Sequence, residues 1–323
     1  YMSDKKSFDS GILAQMERVA KAGIRGIEFH EVVFIDEDYK VVPETIKSVR
    51  KALRKLGLVA TNMNTNLWTD PKWKLGGVTN MDPKIRRDAL AISLQGVEIA
   101  KAVGCKSFAL WPGSDGWDYN FEVNYGRQLD LFIDACIAIA KQCRKLGLKF
   151  GVEAKPHEPR EGALIVGTSQ KVMLIAREVN RVLKGKVMGC AIDYGHEQMY
   201  NYEPADNLYL ARRMDVPVVN FHVNTSKAHS NDEDRVTGTG DLWRMIDFCY
   251  AAIDTGYNGW FGEDQFTYRM EPVKAMSLSR ELFANLMKKA LMIYARRDRL
   301  LKAQATGDAG RTIDVVKEII LNG

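Results

Sequence analysis

The sequence predicts an α/β fold, a (β/α)8 TIM barrel with a C-terminal helical extension. Three observations predict it. Seven short apolar runs rich in β-branched and aromatic residues alternate with longer amphipathic stretches, the pattern of parallel strands joined by crossover helices. The segments KAGIRGIEF, KLGLVATNM, AVGCKSFAL and KLGLKFGVE share one grammar of basic helix end, glycine cap and apolar strand. No GxGxxG follows the first strand, which argues against a doubly wound dinucleotide-binding sheet.

Taken in order, residues 8–22 repeat apolar positions at Ile12, Met16, Val19 and Ala20 and stop at Gly23, which reads as a helix leading into a strand at 26–29. Pro43 opens a second helix that ends at Gly57 before a strand at 58–63. Asp82-Pro83 opens a long helix ending at Gly104, followed by a strand at 107–110. Helices over 125–146, 169–182, 205–214 and 241–255 precede strands at 149–153, 187–193, 218–223 and 259–262 in interleaved order. Seven strands need an eighth. The first residue is Tyr1, not Met, and the missing strand is expected in residues preceding it, with Tyr1 near its end. The barrel is expected over 1–270, and helices over 276–301 and 312–321 make 271–323 a covering extension.

Composition narrows the function classes. The 323 residues are 46% hydrophobic and 27% charged, which excludes a disordered or collagen-like chain. No apolar run is long enough for a membrane span, and the first residues lack the apolar core of a signal peptide. The net charge of +5 comes from 46 basic and 41 acidic residues interleaved along helix faces, not from a basic patch, so no nucleic-acid partner is expected. Five cysteines, without CxxC spacing and inside apolar segments, fit buried free thiols in a reducing cytoplasm.

In a barrel of this type the active site lies at the C-terminal ends of the strands. All five histidines (His30, His157, His196, His222 and His229) fall at or just past such an end. On four consecutive strands, Glu153, Asp193, His222 and Glu263 each terminate an apolar run. Three carboxylates and an imidazole converging on one point suggest a divalent metal, since buried carboxylates without a partner are costly. Mixed oxygen and nitrogen ligation with an oxygen majority favours Mn, with Mg, Co or Zn as alternatives. A hydrogen-bonded polar core at the barrel mouth is the structural alternative. Trp68, Trp73, Trp111 and Trp117 lie in loops on the same rim, where indole rings stack on apolar sugar faces or anchor loops; Trp68 and Trp111 are expected as pocket walls. The loop 113–124 reads as a lid or a partner contact.

The segments FHE (29–31), TNLWTDPKWKLGGVTNMDPKIRRDAL (65–90), LWPGSDG (110–116), GVEAKPHEPR (151–160), DYGHEQM (193–199) and NFHVN (220–224) resemble xylose isomerase, in family order and at near-family spacing. The resemblance implies a TIM barrel, a divalent metal and a sugar substrate. It assigns Glu153 as a metal ligand, Lys155 as the catalytic lysine, His30 as the ring-opening histidine, Asp193 in place of a longer bridging Glu and His196 as the motif histidine. Asn224 stands where the family has a ligand Asp, and Asp232 and Asp234 are what remain of a second metal's ligands. The one-metal set Glu153, Asp193, His222 and Glu263 is more similar to the ketose 3-epimerase branch of that superfamily, in which the two Glu also shuttle the proton. A third branch comprises the catalytic subunits of C-glycoside deglycosidases, lyases that act on 3-oxo-glycosides with a small second subunit.

The expectation is therefore an enzyme that enolises a sugar carbonyl as an isomerase or epimerase, the alternatives being a C-glycoside lyase subunit and a non-catalytic sugar-binding barrel. A metal would polarise the carbonyl and a neighbouring base would remove the adjacent proton. Glu153, Glu263 and His157 are candidate bases, Lys155 a candidate oxyanion stabiliser, and His196 and Asn224 candidate substrate contacts beside Trp68 and Trp111. No phosphate cradle is visible, which favours an unphosphorylated sugar or glycoside. The expected assembly is a homo-oligomer or a hetero-oligomer with a small second subunit.

Overall fold

The computed structural model describes residues 9–157 and 162–322. The strands are β1 (Gly26–His30), β2 (Val59–Thr65), β3 (Ser107–Leu110), β4 (Gly116–Trp117), β5 (Lys149–Glu153), β6 (Ala163–Leu164), β7 (Met188–Asp193), β8 (Val218–Val223) and β9 (Phe261–Glu263). Seven of them form one parallel sheet in the order β1-β2-β3-β5-β7-β8-β9, a nearly closed barrel. β4 and β6 pair separately as an antiparallel ribbon. Residues 1–8, where an eighth strand was expected to end, and residues 158–160 of the KPHEPR segment lie outside the described residues.

The helices are α1 (Ile12–Lys21), α2 (Pro43–Leu56), α3 (Pro83–Val103), α4 (Tyr125–Leu146), α5 (Ser169–Leu183), α6 (Tyr194–Met199), α7 (Pro204–Met214), α8 (Leu242–Asp254), α9 (Pro272–Tyr294), α10 (Arg297–Gln304) and α11 (Ala309–Asn322). Their ends follow from the sequence. Asp82, Asn124, Thr168 and Asp241 cap N-termini through side-chain oxygens. Gly57, Gly104 and Gly147 close α2, α3 and α4 in the left-handed region at φ 67°, 109° and 70°, the conformation that turns each helix sharply into its strand. Every residue of β3 and β7 is buried, as expected of parallel strands covered on both faces.

The helix-facing layer fixes which strand residues look inward. Phe221 of β8 stacks on Phe261 of β9 with centroids 5.3 Å apart, and both pack against Phe248 of α8. Side chains alternate along a strand, so the residues next to these phenylalanines, His222 and Gly262, face the barrel axis. The segment 276–301 expected as one helix is instead α9 and α10, separated at Ala295-Arg296. α9 packs on α8 and α1, and α11 packs on α9 and α10.

Candidate metal centre and sugar pocket

Three strand ends converge on one buried point. Glu153 ends β5, Asp193 ends β7 and His222 lies beside Asp193 in the β7–β8 register. Single ligand atoms from these three residues all lie within 4.8 Å of one another. His222 Nδ1 is 3.1 Å from Glu153 Oε2, 3.9 Å from Asp193 Oδ2 and 3.6 Å from Asp264 Oδ2. That nitrogen is fully buried, yet makes no hydrogen bond of acceptable geometry. A buried imidazole nitrogen facing three carboxylates without a hydrogen bond is the donor set of a divalent cation site with mixed oxygen and nitrogen ligation. The residues fit such an ion.

The electrostatics point the same way. Burial pushes the Asp193 carboxyl up to about 7, with the charges of Asp232 and Glu153 adding to it and His196 opposing. Burial would raise Glu153 too, but His222, His196 and Lys155 hold it below the usual carboxylate range. Burial disfavours charge on His222, yet Glu153 and Glu28 together lift it well above an ordinary histidine. The cluster is short of positive charge at its centre.

The fourth expected ligand is placed elsewhere. Glu263 Oε2 accepts hydrogen bonds from Thr237 Oγ1 at 2.6 Å and from Gln265 Nε2 at 2.8 Å, and burial raises its carboxyl to about 7. It leaves β9 on the same face as Phe261, toward Ser279 of α9, whose hydroxyl accepts from the same Gln265 amide. Asp264, one residue on, faces His222. The period-2 alternation set by Phe261 was the signal that distinguishes the two.

A second group sits beside the first. Ligand atoms of Asp193, His196 and Asp232 lie within 4.8 Å of one another. His196 Nδ1 is 2.9 Å from the Ala154 carbonyl and so carries a proton, while Nε2 is 3.1 Å from Asp232 Oδ2. Burial opposes charge on this ring, but Asp193 and Asp232 raise it to about 10. Lys155 Nζ pairs with the same Asp232 oxygen at 3.0 Å. Asn224 donates to both oxygens of Asp193, at 3.3 and 3.2 Å, and to Asp234 Oδ1 at 3.0 Å, so its amide ties Asp234 to the carboxylate that the two groups share. Burial together with the charges of Asp232, Asp264 and Asp193 pushes the Asp234 carboxyl up to about 9.

The pocket wall is aromatic. His30, at the end of β1, meets Trp68 edge-on at 5.4 Å; Trp68 meets Trp111 at 4.6 Å; and Lys155 Nζ lies 5.1 Å from the Trp111 ring. Trp73 is fully buried in the core, an anchor of its loop, and Trp117 packs on Tyr125. His157, bridged to Ala163 and 6.2 Å from Tyr200, lines the large cavity that contains the carboxylates and also borders a recess of about 430 Å³ with His229. The loop after β3 is pinned at its base, because the fully buried Asp115 accepts the backbone N–H groups of Gly77, Val78 and Thr79 and the Thr79 hydroxyl. A cavity of about 2180 Å³ contains the carboxylates and continues to the start of β1, where Arg18, Gly26, Trp260 and Arg280 line it.

Three contributors were missed in the sequence. Asp264, one residue past Glu263, faces His222. Glu28 on β1 accepts from Asn62, Asn220 and His222, and Asp115 ties three loops together, since its carbonyl also accepts the Ile165 N–H. The signal for Glu28 was a lone carboxylate between Ile27 and Phe29, the inward position of a strand.

With this geometry in place, residues 16–286 match the family described as a xylose isomerase-like TIM barrel. The chain belongs to that family. Solved structures with the same fold include an L-ribulose 3-epimerase (TM-score 0.70, 15% identity, 91% of this chain and 94% of that one). A 3-keto-D-glucoside 4-epimerase from E. coli matches with a TM-score of 0.64 and 15% identity over 87% of this chain and 97% of that one. A D-psicose 3-epimerase from Clostridium cellulolyticum H10, solved with D-tagatose, matches with a TM-score of 0.61 and 16% identity over 90% and 94%. Among the described residues, no helix of the family barrel in this chain is long and apolar enough to cross a membrane.

Proposed function

We propose that the protein is a divalent-metal-dependent sugar epimerase or isomerase that enolises the carbonyl of an unphosphorylated ketose. The observation that carries the reading is the buried His222 Nδ1, without a hydrogen bond of acceptable geometry, facing Glu153, Asp193 and Asp264 under an aromatic wall. Glu153, Asp193 and His222 would hold the ion, with Asp264 the nearest further carboxylate. The ion, with manganese the first candidate, would polarise the carbonyl and lower the cost of the enediolate. Trp68 and Trp111 cover one face of the sugar and exclude water. Glu153, held as the anion, is the candidate base for the proton next to the carbonyl. Lys155, a cation paired with Asp232 beside the Trp111 ring, is the candidate to meet negative charge as it develops on oxygen, while His196 gives both its N–H groups to the Ala154 carbonyl and Asp232 and orients that carboxylate. A second reading, elimination of the aglycone from a 3-oxo-glycoside after the same enolisation, draws on the breadth of the cavity lining, which besides Trp68 and Trp111 includes Leu75, Met81, Trp117, Val123 and Leu164 alongside Lys74, Asp118 and Glu122.

The test is incubation of the manganese-loaded protein in deuterium oxide with a panel of free ketoses and 3-oxo-glycosides. Deuterium next to the carbonyl together with a new epimer or aldose supports the first reading, and release of an aglycone supports the second. Binding of sugar without exchange at any carbon would leave a sugar-binding barrel and refute both. Light scattering with and without a small second chain tests the expected homo- or hetero-oligomer.

A further inference from the structure

The imidazole of His222 is gripped from behind. Its Nδ1 faces Glu153, Asp193 and Asp264, and its Nε2 lies 3.2 Å from Glu28 Oε2. Glu28 belongs to neither group of converging ligand atoms. It comes from the opposite edge of the strand row, β1, and two asparagines hold it in place. Asn62 Nδ2 donates to Oε2 at 3.1 Å and Asn220 Nδ2 to Oε1 at 2.8 Å. The Asn62 amide is itself oriented, because its Oδ1 accepts the Ser107 hydroxyl at 2.8 Å, which leaves Nδ2 for Glu28. Gly262 supplies the room: a Cβ there would lie 2.7 Å from Glu28 Oε1 and 3.2 Å from His222 Cδ2.

A neutral imidazole offers a lone pair at Nδ1 only when its proton sits on Nε2. Glu28 is acceptor-only when ionised, and every other group that reaches it is a donor. The carboxylate therefore selects the Nε2–H tautomer and the ring orientation, and it raises the basicity of Nδ1. From this we infer that Glu28 is a positioning residue for the metal centre, acting through His222 without touching the ion. The inference rests on the metal centre proposed above. Carboxylates that accept the second N–H of a ligating histidine typically govern 10- to 100-fold of metal affinity.

The experiment is titration of Mn2+ into the metal-free wild-type chain, Glu28→Gln and Gly262→Ala, read by the electron paramagnetic resonance of free Mn2+. Unfolding of each metal-free protein is followed in parallel. The expected result is a Kd about 10- to 100-fold weaker in both variants. In the 15N-labelled, zinc-loaded wild type, His222 is expected to carry its proton on Nε2, hydrogen-bonded to Glu28. Failure of the wild type to bind Mn2+ overturns the metal centre and this inference with it. Wild-type binding with both variants within about twofold overturns the inference alone, as does a loss confined to metal-free stability. If either variant fails to fold, the wild-type spectrum decides, since a proton on Nδ1 of the zinc-loaded protein overturns the assignment.

Discussion

Glu31 provides a stability prediction whose size follows from its burial. The side chain follows β1 in the short helix Glu31–Phe34 and is fully buried. One carboxylate oxygen accepts the Asn66 N–H at 2.8 Å, and the other has no partner. Burial, only partly offset by hydrogen bonds from the backbone, moves the carboxyl from 4.5 up to about 7. Between those values the folded chain holds a proton that the unfolded chain has released, so stability falls as pH rises through this window. At 1.36 kcal/mol per pH unit the total is about 3 kcal/mol. Glu31→Gln keeps an acceptor for Asn66 and removes the ionisation. Its amide N–H groups replace the unpartnered oxygen and cost about 1–3 kcal/mol at any pH. The difference between variant and wild type should therefore shift by about 3 kcal/mol in favour of the variant between pH 4.5 and pH 8. Urea unfolding of both proteins in the presence of EDTA, across that range, measures the shift. A difference that stays constant within about 0.5 kcal/mol would refute the reasoning, since a surface carboxylate would behave that way.

Other outcomes follow from the same geometry. Asp115→Ala should cost at least about 3 kcal/mol by urea unfolding, because three buried backbone N–H groups and a hydroxyl lose their acceptor. Lys155→Met, which removes one of the two cations on Asp232 and leaves His196, should abolish turnover while Mn2+ stoichiometry is kept, and should cost about 1.5–3 kcal/mol of stability. Trp111→Ala should raise KM about fivefold at unchanged metal content, as expected for loss of a stacking contact worth about 1 kcal/mol. All five thiols are buried, and burial pushes those of Cys105 and Cys190 up to about 12, so a thiol reagent should label the native protein at pH 8 only after denaturant is added.

The barrel was legible because β1, β2, β3 and β5 each follow a basic helix end and a glycine, and because β1, β5, β7 and β9 end on a polar residue. Short and non-local elements were not. Helix α6 has six residues started by Asp193, too few for periodicity to register. The β4–β6 ribbon joins Trp117 to Ala163 with only two residues on each side, and no local pattern encodes such a pair. At the site, Glu153, Asp193 and His222 stood out as polar ends of apolar runs, and the structure brings those three together. Glu263 stood out for the same reason, yet the orientation of a strand-end residue depends on its neighbour's face. Phe261 turns outward onto Phe221 and takes Glu263 with it. Glu28 was hidden because its role exists only across the row, through an Asn220 amide 192 positions away and a His222 ring 194 positions away.

The central claim is that Glu153, Asp193 and His222 form a divalent-metal centre. The most direct test is elemental analysis of the purified chain after dialysis against Mn2+, beside Glu153→Gln and His222→Ala under the same conditions. The account predicts about one manganese per wild-type chain, lost from both variants while their folds persist by circular dichroism. A wild-type chain that retains no manganese, magnesium, cobalt or zinc, or variants that retain as much metal as the wild type, would contradict it.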